Sequence, residues 1–247
     1  MEHVRLEQRE QVAIVTLVDT ARRNAMTAPM VREIVETFDT IEGDENVGAV
    51  VVTGEAPAFC SGADVSSLGA LSQAESDQDR GQIVSIYEGF LRVLRSPLPT
   101  LAAVNGPAVG AGMNLALACD VRFASASARF DPRFLRIGLH PGGGHTWLLE
   151  RAVGASAAAA MVLFGDAVDG ARAAEIGLVW RCVADDALLD AATAFAGRAA
   201  SIPRALSART KATMRAVPWQ PDFDAALATE VEAQTWSLGQ GWFGRPR

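Results

Sequence analysis

Two glycine-containing turns could each direct a backbone amide toward a ligand. Residues 101–120 (LAAVNGPAVGAGMNLALACD) run from an apolar strand through Gly106, Gly110 and Gly112 into a helix that begins at about Ala111. Glycine has no Cβ, so a ligand can approach this backbone closely. The first amides of a helix have no partner within it and lie at its positive end. A group that is anionic, or becomes anionic, is therefore favoured there.

A second turn repeats this design. Residues 49–64 (AVVVTGEAPAFCSGAD) begin as a β-branched apolar strand and end in a Ser-Gly-Ala-Asp loop. The amides of Ser61 and Ala111 could then point at one oxygen atom, which is the arrangement of an oxyanion hole. Such a pair stabilises negative charge that develops on a carbonyl oxygen during a reaction.

The elements that position these two turns are predicted to alternate between strands and helices along the chain. Apolar runs too continuous for a solvated face, as at residues 47–53, are typical of buried parallel strands. Helices alone follow the last strand, so we predict an α/β core over residues 1–185 and a C-terminal helical region over residues 186–247. Residues 66–81, rich in Ser, Gln, Asp and Gly, are predicted to be mobile. The other predicted elements are a hairpin at 4–18, strands at 121–124, 128–131 and 178–183, and helices at 28–43, 83–94, 145–153, 155–164, 170–177, 186–200, 204–216 and 222–238.

Composition limits the class of protein. The 247 residues are 49% hydrophobic and 21% charged, which predicts a globular chain with a substantial core. A net charge of −7 and a pI near 5.0 argue against a broad nucleic-acid surface. The widely spaced Cys60, Cys119 and Cys182 are typical of reduced thiols. No leader peptide or membrane span is expected, so we predict a cytoplasmic protein without a membrane or nucleic-acid partner.

Motifs along nearly the whole chain resemble those of one family. The resemblance is to the crotonase superfamily, the enoyl-CoA hydratase/isomerase family. It implies a spiral of ββα turns with C-terminal helices, a homotrimer or dimer of trimers, and an acyl-CoA thioester as ligand, with coenzyme A as part of the substrate and no separate cofactor. The matching stretches are RNAM at 23–26, AFCSGAD at 58–64, AVNGPAVGAG at 103–112, CD at 119–120, Gly138, PGGG at 141–144, AAEIGLV at 173–179 and Lys211.

The resemblance also implies roles for particular residues. The amides of Ser61 and Ala111 would polarise the thioester carbonyl and stabilise its enolate; losing one such donor costs a factor of about 10²–10³. Arg22, Arg23 and Lys211 would contact phosphates, Lys211 from a neighbouring subunit, although solvated surface charges are the alternative. The remaining substrate-binding positions are Ala25, Gly62, Ala63, Asp64, Val65, Asn114 and Phe134.

Two positions depart from the hydratase pattern. Hydratases of this superfamily activate water and deliver a proton with two glutamates, and the matching positions here are Asn114 and Phe134. Because each acid–base group contributes roughly 10²–10⁴-fold, standard hydration should be nearly lost. The sequence therefore supports two hypotheses. One is an enzyme that stabilises a thioester enolate in hydration, dehydration or double-bond isomerisation, and the other is a non-catalytic acyl-CoA-binding protein on the same fold.

Asp131 and His145 are the candidates for a replacement acid or base. Asp131 could instead form a buried salt bridge with Arg133 and Arg136, or cap a turn. His145 could titrate near neutrality, or make only a local hydrogen bond at the start of a helix. His140 and His145 lack a third ligand with suitable spacing, so no metal site is predicted.

Three further polar residues have structural interpretations. Asp64 is predicted to cap a helix and Asp120 to fix a turn. Cys60 lies beside the predicted oxyanion hole, but no histidine is paired with it, so a packing role is favoured over a nucleophilic one.

Overall fold

The computed structural model describes residues 1–64 and 77–244, and only the backbone of residues 77–84. Within these residues the chain forms nine β-strands in two sheets and eight α-helices. The predicted mobile segment lies mostly outside the described residues, and its last residues belong to a helix that begins at Asp77.

The larger sheet confirms the predicted hairpin and the buried parallel strands. Strand β1 pairs antiparallel with β2, and every other neighbouring pair in the order β1-β2-β3-β4-β6-β9 is parallel. Strands β2, β3 and β4, all in the interior of this sheet, are buried along their entire length, as continuous apolar runs require. These strands are β1 (Val4–Arg9), β2 (Val12–Leu17), β3 (Ala49–Gly54), β4 (Thr100–Val104), β6 (Val121–Ser125) and β9 (Arg181–Val183).

A second, three-stranded sheet makes the chain a spiral. It contains β5 (Pro107–Val109), β7 (Arg129–Asp131) and β8 (Val168–Asp169). Successive strands from β4 to β7 alternate between the two sheets. An isolated bridge between Cys60 and Ala108 joins the loop after β3 to the small sheet. This topology brings the two glycine-containing turns side by side.

In the described parts of the chain, eight α-helices cover the sheets, and their positions agree with the predictions. Helix α1 begins after Thr27, whose side chain accepts a hydrogen bond from the Met30 amide, and it buries the stripe that contains Ile34 and Phe38. The helices are α1 (Ala28–Gly43), α2 (Asp77–Arg95), α3 (Ala111–Ala118), α4 (His145–Leu163), α5 (Gly170–Glu175), α6 (Leu188–Ala200), α7 (Arg204–Ala216) and α8 (Phe223–Leu238).

The first helix of the predicted C-terminal region belongs to the core. Leu188, Ala192 and Ala196 of α6 pack against the six-stranded sheet in one buried cluster with Ile14 and Phe123. The predicted boundary between the core and the C-terminal region, at residue 185, would therefore separate α6 from the six-stranded sheet that it covers. A role of the last helices in trimerisation stays a prediction.

Helix α4 is interrupted, as the two predicted helices implied. Gly154 has φ 77° and ψ 165°, which is not helical. By length and composition alone, His145–Leu163 passes as a candidate membrane span, which corrects the expectation that no stretch would. Each segment on either side of Gly154 is much shorter than the roughly 20 residues that a helical span needs.

Candidate active site

A cavity of about 310 Å³ opens where the two glycine-containing turns meet. The loop after β3 and the start of α3 form one side, and α2 and the short 3₁₀ segment Phe134–Ile137 form the other. Several predicted site residues meet here, but Asp131, His145 and Lys211 are not among the lining residues. The lining consists of Ser61, Gly62, Ala63, Ile86, Tyr87, Val109, Gly110, Ala111, Asn114, Pro132, Arg133, Phe134, Ile137, Leu139, His140 and Gly142.

The amide of Ser61 is not free to bind a ligand. Its N–H donates to the carbonyl oxygen of Arg23 at 3.0 Å, and its hydroxyl donates to the carbonyl oxygen of Arg22 at 2.9 Å. Both bonds fasten the Ser61 loop to the turn that precedes α1. The assignment of Ser61 as an oxyanion-hole donor is therefore wrong, because its amide already has an acceptor.

The amide two residues later is oriented differently. Met26 donates to the Gly62 carbonyl at 2.8 Å and forms a parallel bridge with Ala63. In such a bridge the groups flanking Ala63 pair with Met26, so the N–H of Ala63 itself faces the opposite side. Gly62 makes this turn with a φ of 104°, a conformation that favours glycine.

Ala111 supplies the second amide. It is the first residue of α3, where an amide has no intrahelical acceptor. Among the described residues, neither the Ala63 nor the Ala111 amide donates to a backbone carbonyl. Both residues line the cavity. Two residues with unpaired backbone donors thus line one cavity, one from each turn.

The two turns touch at Gly112. A Cβ on this residue would collide with the carbonyl oxygen of Cys60 and lie 2.8 Å from the Cys60 Cβ. Only glycine lets α3 pack this closely against the loop after β3. The separation of the two amides depends on this contact.

We expect Gly112→Ala to reduce the free energy of unfolding by about 2 kcal/mol, because the new methyl overpacks a buried backbone contact. Gly197→Ala in helix α6 is the matched control, since nothing lies within 4 Å of its added Cβ. The control should gain up to about 1 kcal/mol from helix propensity. Urea unfolding of both variants measures the difference. Equal stabilities would show that the Cys60 contact does not constrain the fold.

Asn114, which lines the cavity, and His145, which lies outside its lining, form a buried pair. Each is 1% exposed. Asn114 Nδ2 donates to the carbonyl oxygen of Gly142 at 3.0 Å, and its Oδ1 lies 2.6 Å from His145 Nδ1. Because the Gly142 oxygen can only accept, the carboxamide orientation is fixed. His145 must then carry its proton on Nδ1 and donate it to Asn114.

The other imidazole nitrogen of His145 has no hydrogen-bond partner among the described residues. The ring of Phe134 meets the imidazole edge-on, with centroids 4.9 Å apart. Burial lowers the pKa of His145 to about 4, so the ring is neutral at physiological pH. The hydrogen bond of His145 is thus made to Asn114, 31 residues earlier in the chain, and is not the local bond at the helix start that was considered for it.

Asp131, the other candidate base, forms a buried salt bridge. It is 3% exposed, and its carboxylate pairs with the guanidinium groups of Arg133, at 2.9 Å, and Arg136. No aspartate or glutamate occurs among the described residues that line the cavity. The described cavity wall therefore offers no carboxylate to activate a water molecule.

The predicted phosphate-binding residues are separated. Arg22 is exposed and pairs with Asp19 at 3.1 Å, and Arg23 adjoins the cavity through its backbone bond to Ser61. Ala25 is buried in the same turn, Asp64 follows Ala63, and Val65 lies outside the described residues.

Lys211, the third predicted phosphate contact, is not among the residues that line the cavity. Its buried ammonium group pairs with Asp120 and donates to the carbonyl oxygen of Leu98. Asp120 also accepts from the Thr100 amide at 2.8 Å, so it holds the start of β4, in line with its predicted structural role. A contact of Lys211 with a phosphate stays a prediction.

The cysteines show no sign of nucleophilic activation. Burial raises the pKa of Cys60 and of Cys119 to about 12, so both remain thiols at neutral pH. All three cysteines are free. In the part of the chain that the structure describes, no group of three His, Cys, Asp or Glu residues could hold a metal ion.

Tyr87 is a cavity residue that sequence reasoning missed. It is the single tyrosine of the chain, and its ring packs against Phe90 with centroids 5.5 Å apart. Its hydroxyl lies against Gly142, where an added Cβ would clash with it. Burial raises the pKa of Tyr87. The sequence held one signal for this residue: the tyrosine lies on a helix that ends just before β4, the strand that leads into the turn with Gly106 and Gly110.

The alternation of strands between two sheets, followed by C-terminal helices, defines the crotonase fold. The chain belongs to the enoyl-CoA hydratase/isomerase family, because the model of the family described as "Enoyl-CoA hydratase/isomerase" matches residues 7–236. The resemblance read from the sequence is thereby confirmed.

Relatives and solved structures agree with this assignment. The chain is 49% identical over 207 residues to a probable enoyl-CoA hydratase, EchA14, of Mycobacterium tuberculosis, covering 84% of this chain and 79% of the relative. A probable enoyl-CoA hydratase of Rhodobacter capsulatus is 40% identical, with 94% and 84% coverage. A putative enoyl-CoA hydratase of Thermobifida fusca, solved in complex with CoA, is 32% identical with a TM-score of 0.84, covering 97% of this chain and 94% of that one.

Proposed function

We propose that this protein binds an acyl-CoA thioester and holds its carbonyl oxygen between the amides of Ala63 and Ala111. The observation that carries the proposal is that the two residues line one cavity and that neither amide has a backbone acceptor. The Thermobifida fusca neighbour in complex with CoA supports a coenzyme A ligand. Donors aimed at this oxygen stabilise it most when it becomes an enolate oxygen.

The enolate is the intermediate that such a site favours. When a proton leaves or joins the α-carbon, negative charge moves onto the thioester oxygen, and both N–H groups bind it more strongly. The site would thus serve hydration, dehydration or isomerisation of a double bond next to the thioester. Asn114 and Phe134 occupy the two acid–base positions, so neither supplies the proton-transfer group that standard hydration uses.

A non-catalytic acyl-CoA-binding protein is the second candidate. The observation that favours it is the absence of a carboxylate from the described cavity lining. The neutral, enclosed imidazole of His145 also lies outside that lining. This candidate predicts thioester binding without turnover of any acyl-CoA.

The test isolates the thioester carbonyl. We expect butanoyl-CoA to bind about tenfold more tightly than S-butyl-CoA, which has the same chain length but no carbonyl, because two hydrogen bonds are lost. Calorimetric titration of both ligands measures the ratio. Equal affinities would contradict carbonyl binding by the amide pair, and no binding of either ligand would contradict the acyl-CoA site.

A further inference from the structure

Two cavity-lining residues that carry hydrogen-bond donors, Asn114 and Tyr87, meet at Gly142, one helical turn from the amide of Ala111. Asn114 follows Ala111 by three residues in α3, so its side chain lies about 4.5 Å farther along the helix axis. Tyr87 reaches the same region from α2. Both groups contact Gly142: Asn114 Nδ2 donates to its carbonyl oxygen at 3.0 Å, and the Tyr87 hydroxyl lies against its Cα.

Each of these side chains retains a polar hydrogen. The Asn114 carboxamide uses one N–H for Gly142, while its oxygen is occupied by His145 Nδ1 at 2.6 Å. Only the second N–H remains for a ligand. The Tyr87 hydroxyl has no hydrogen-bond partner among the described residues, although the residue is partly buried and lines the cavity. Burial also keeps this hydroxyl protonated at neutral pH.

We infer that Tyr87 and Asn114 select acyl-CoA thioesters that carry a keto oxygen on C3. This inference rests on the proposed function, because the thioester oxygen must first lie between the amides of Ala63 and Ala111. The spacing along α3 then places C3, two carbons from the thioester carbonyl, near the two donors. A keto oxygen has two lone pairs and accepts from both.

The donor set distinguishes a keto group from related groups. A saturated acyl chain displaces water from the Tyr87 hydroxyl and the Asn114 N–H and offers neither an acceptor, which costs affinity. A 3-hydroxyl group brings an additional polar hydrogen, for which this pair offers only the phenolic oxygen of Tyr87. The 3-oxo group satisfies both donors and adds no unpaired hydrogen. Tyr87 and Asn114 are thus specificity-determining residues of the site.

The test compares two thioesters of equal chain length. We expect 3-oxobutanoyl-CoA to bind the native protein about tenfold more tightly than butanoyl-CoA in calorimetric titration. Tyr87→Phe, which removes only the hydroxyl oxygen and its proton, should reduce this ratio to about threefold or less. Thr40→Val is the control: it removes an exposed hydroxyl of α1 that donates to the carbonyl oxygen of Glu36 and lies outside the cavity lining. Its ratio should equal that of the native protein.

The outcomes separate this inference from the function on which it rests. A native ratio near one, with butanoyl-CoA still bound, would overturn the 3-oxo selectivity alone. A tenfold native ratio that a folded Tyr87→Phe variant leaves unchanged would overturn the role of Tyr87. If neither thioester binds, the acyl-CoA site itself fails. Circular dichroism of each variant confirms that it is folded, and the native ratio tests the selectivity without any variant.

Discussion

The Asn114→Glu/Phe134→Glu double variant is expected to hydrate trans-2-enoyl-CoA at least about 100-fold faster than the native protein, because each restored acid–base group contributes roughly 10²–10⁴-fold. Both side chains line the cavity, so both new carboxylates would face the acyl group. A glutamate at 114 would also accept the Nδ1–H of His145, which now donates to Asn114. Loss of the conjugated enoyl-thioester absorbance, followed with acyl chains of increasing length, measures the rate.

The matched control is Asn114→Gln/Phe134→Gln, which has nearly the same shape as the glutamate pair but no carboxylate. It should hydrate trans-2-enoyl-CoA no faster than the native protein does. Native turnover that equals that of the glutamate variant would show that a base outside the described cavity lining acts in hydration. A glutamate variant that folds and binds butanoyl-CoA but remains inactive would contradict the proposed position of the substrate.

Stability should depend on pH through His145. Burial lowers its pKa from 6.5 to about 4 in the folded protein, so between these values the unfolded chain binds a proton that the native state does not. The free energy of unfolding therefore rises with pH in this window. The contribution of His145 to it is lost as the pH falls from about 6.5 toward 4. The full loss is about 3 kcal/mol, at 1.36 kcal/mol per pKa unit.

Comparison with His145→Gln isolates this contribution, since all other titrating groups are common to both proteins. Urea unfolding at pH 7 and at pH 4 gives the two differences in free energy. The native protein should lose about 3 kcal/mol more than the variant over this interval. Parallel pH profiles would show that the imidazole reaches solvent or gains a partner for its free nitrogen.

Periodicity and glycine punctuation predicted most of the fold. The hairpin, the buried strand at Ala49–Gly54 and helix α1 follow from local patterns, because alternation and helical spacing reflect which side faces the core. The place of α6 was not predictable in this way. Its small residues Ala192 and Ala196 fit closely on the sheet, and that contact depends on tertiary topology rather than on the helix itself.

The site was predicted in part. Ala111 was identified because the start of a helix leaves its amide unpaired, whereas Ser61 was wrong because its N–H is bound by Arg23. Spacing alone does not show which amide of a loop is already used; the parallel bridge to Met26 leaves the Ala63 amide unpaired, which is why the proposed site uses it. The contact between Asn114 and His145 joins residues 31 positions apart, and only the fold brings them together.

Infrared difference spectroscopy of butanoyl-CoA labelled at the thioester carbonyl tests the central claim most directly. Two hydrogen bonds from the amides of Ala63 and Ala111 should weaken the C=O bond as they draw electron density onto its oxygen. We therefore expect the carbonyl stretch of the bound ligand to lie below that of the free thioester in water. A bound carbonyl at or above the frequency of the free thioester would mean that the amide pair does not hold this oxygen.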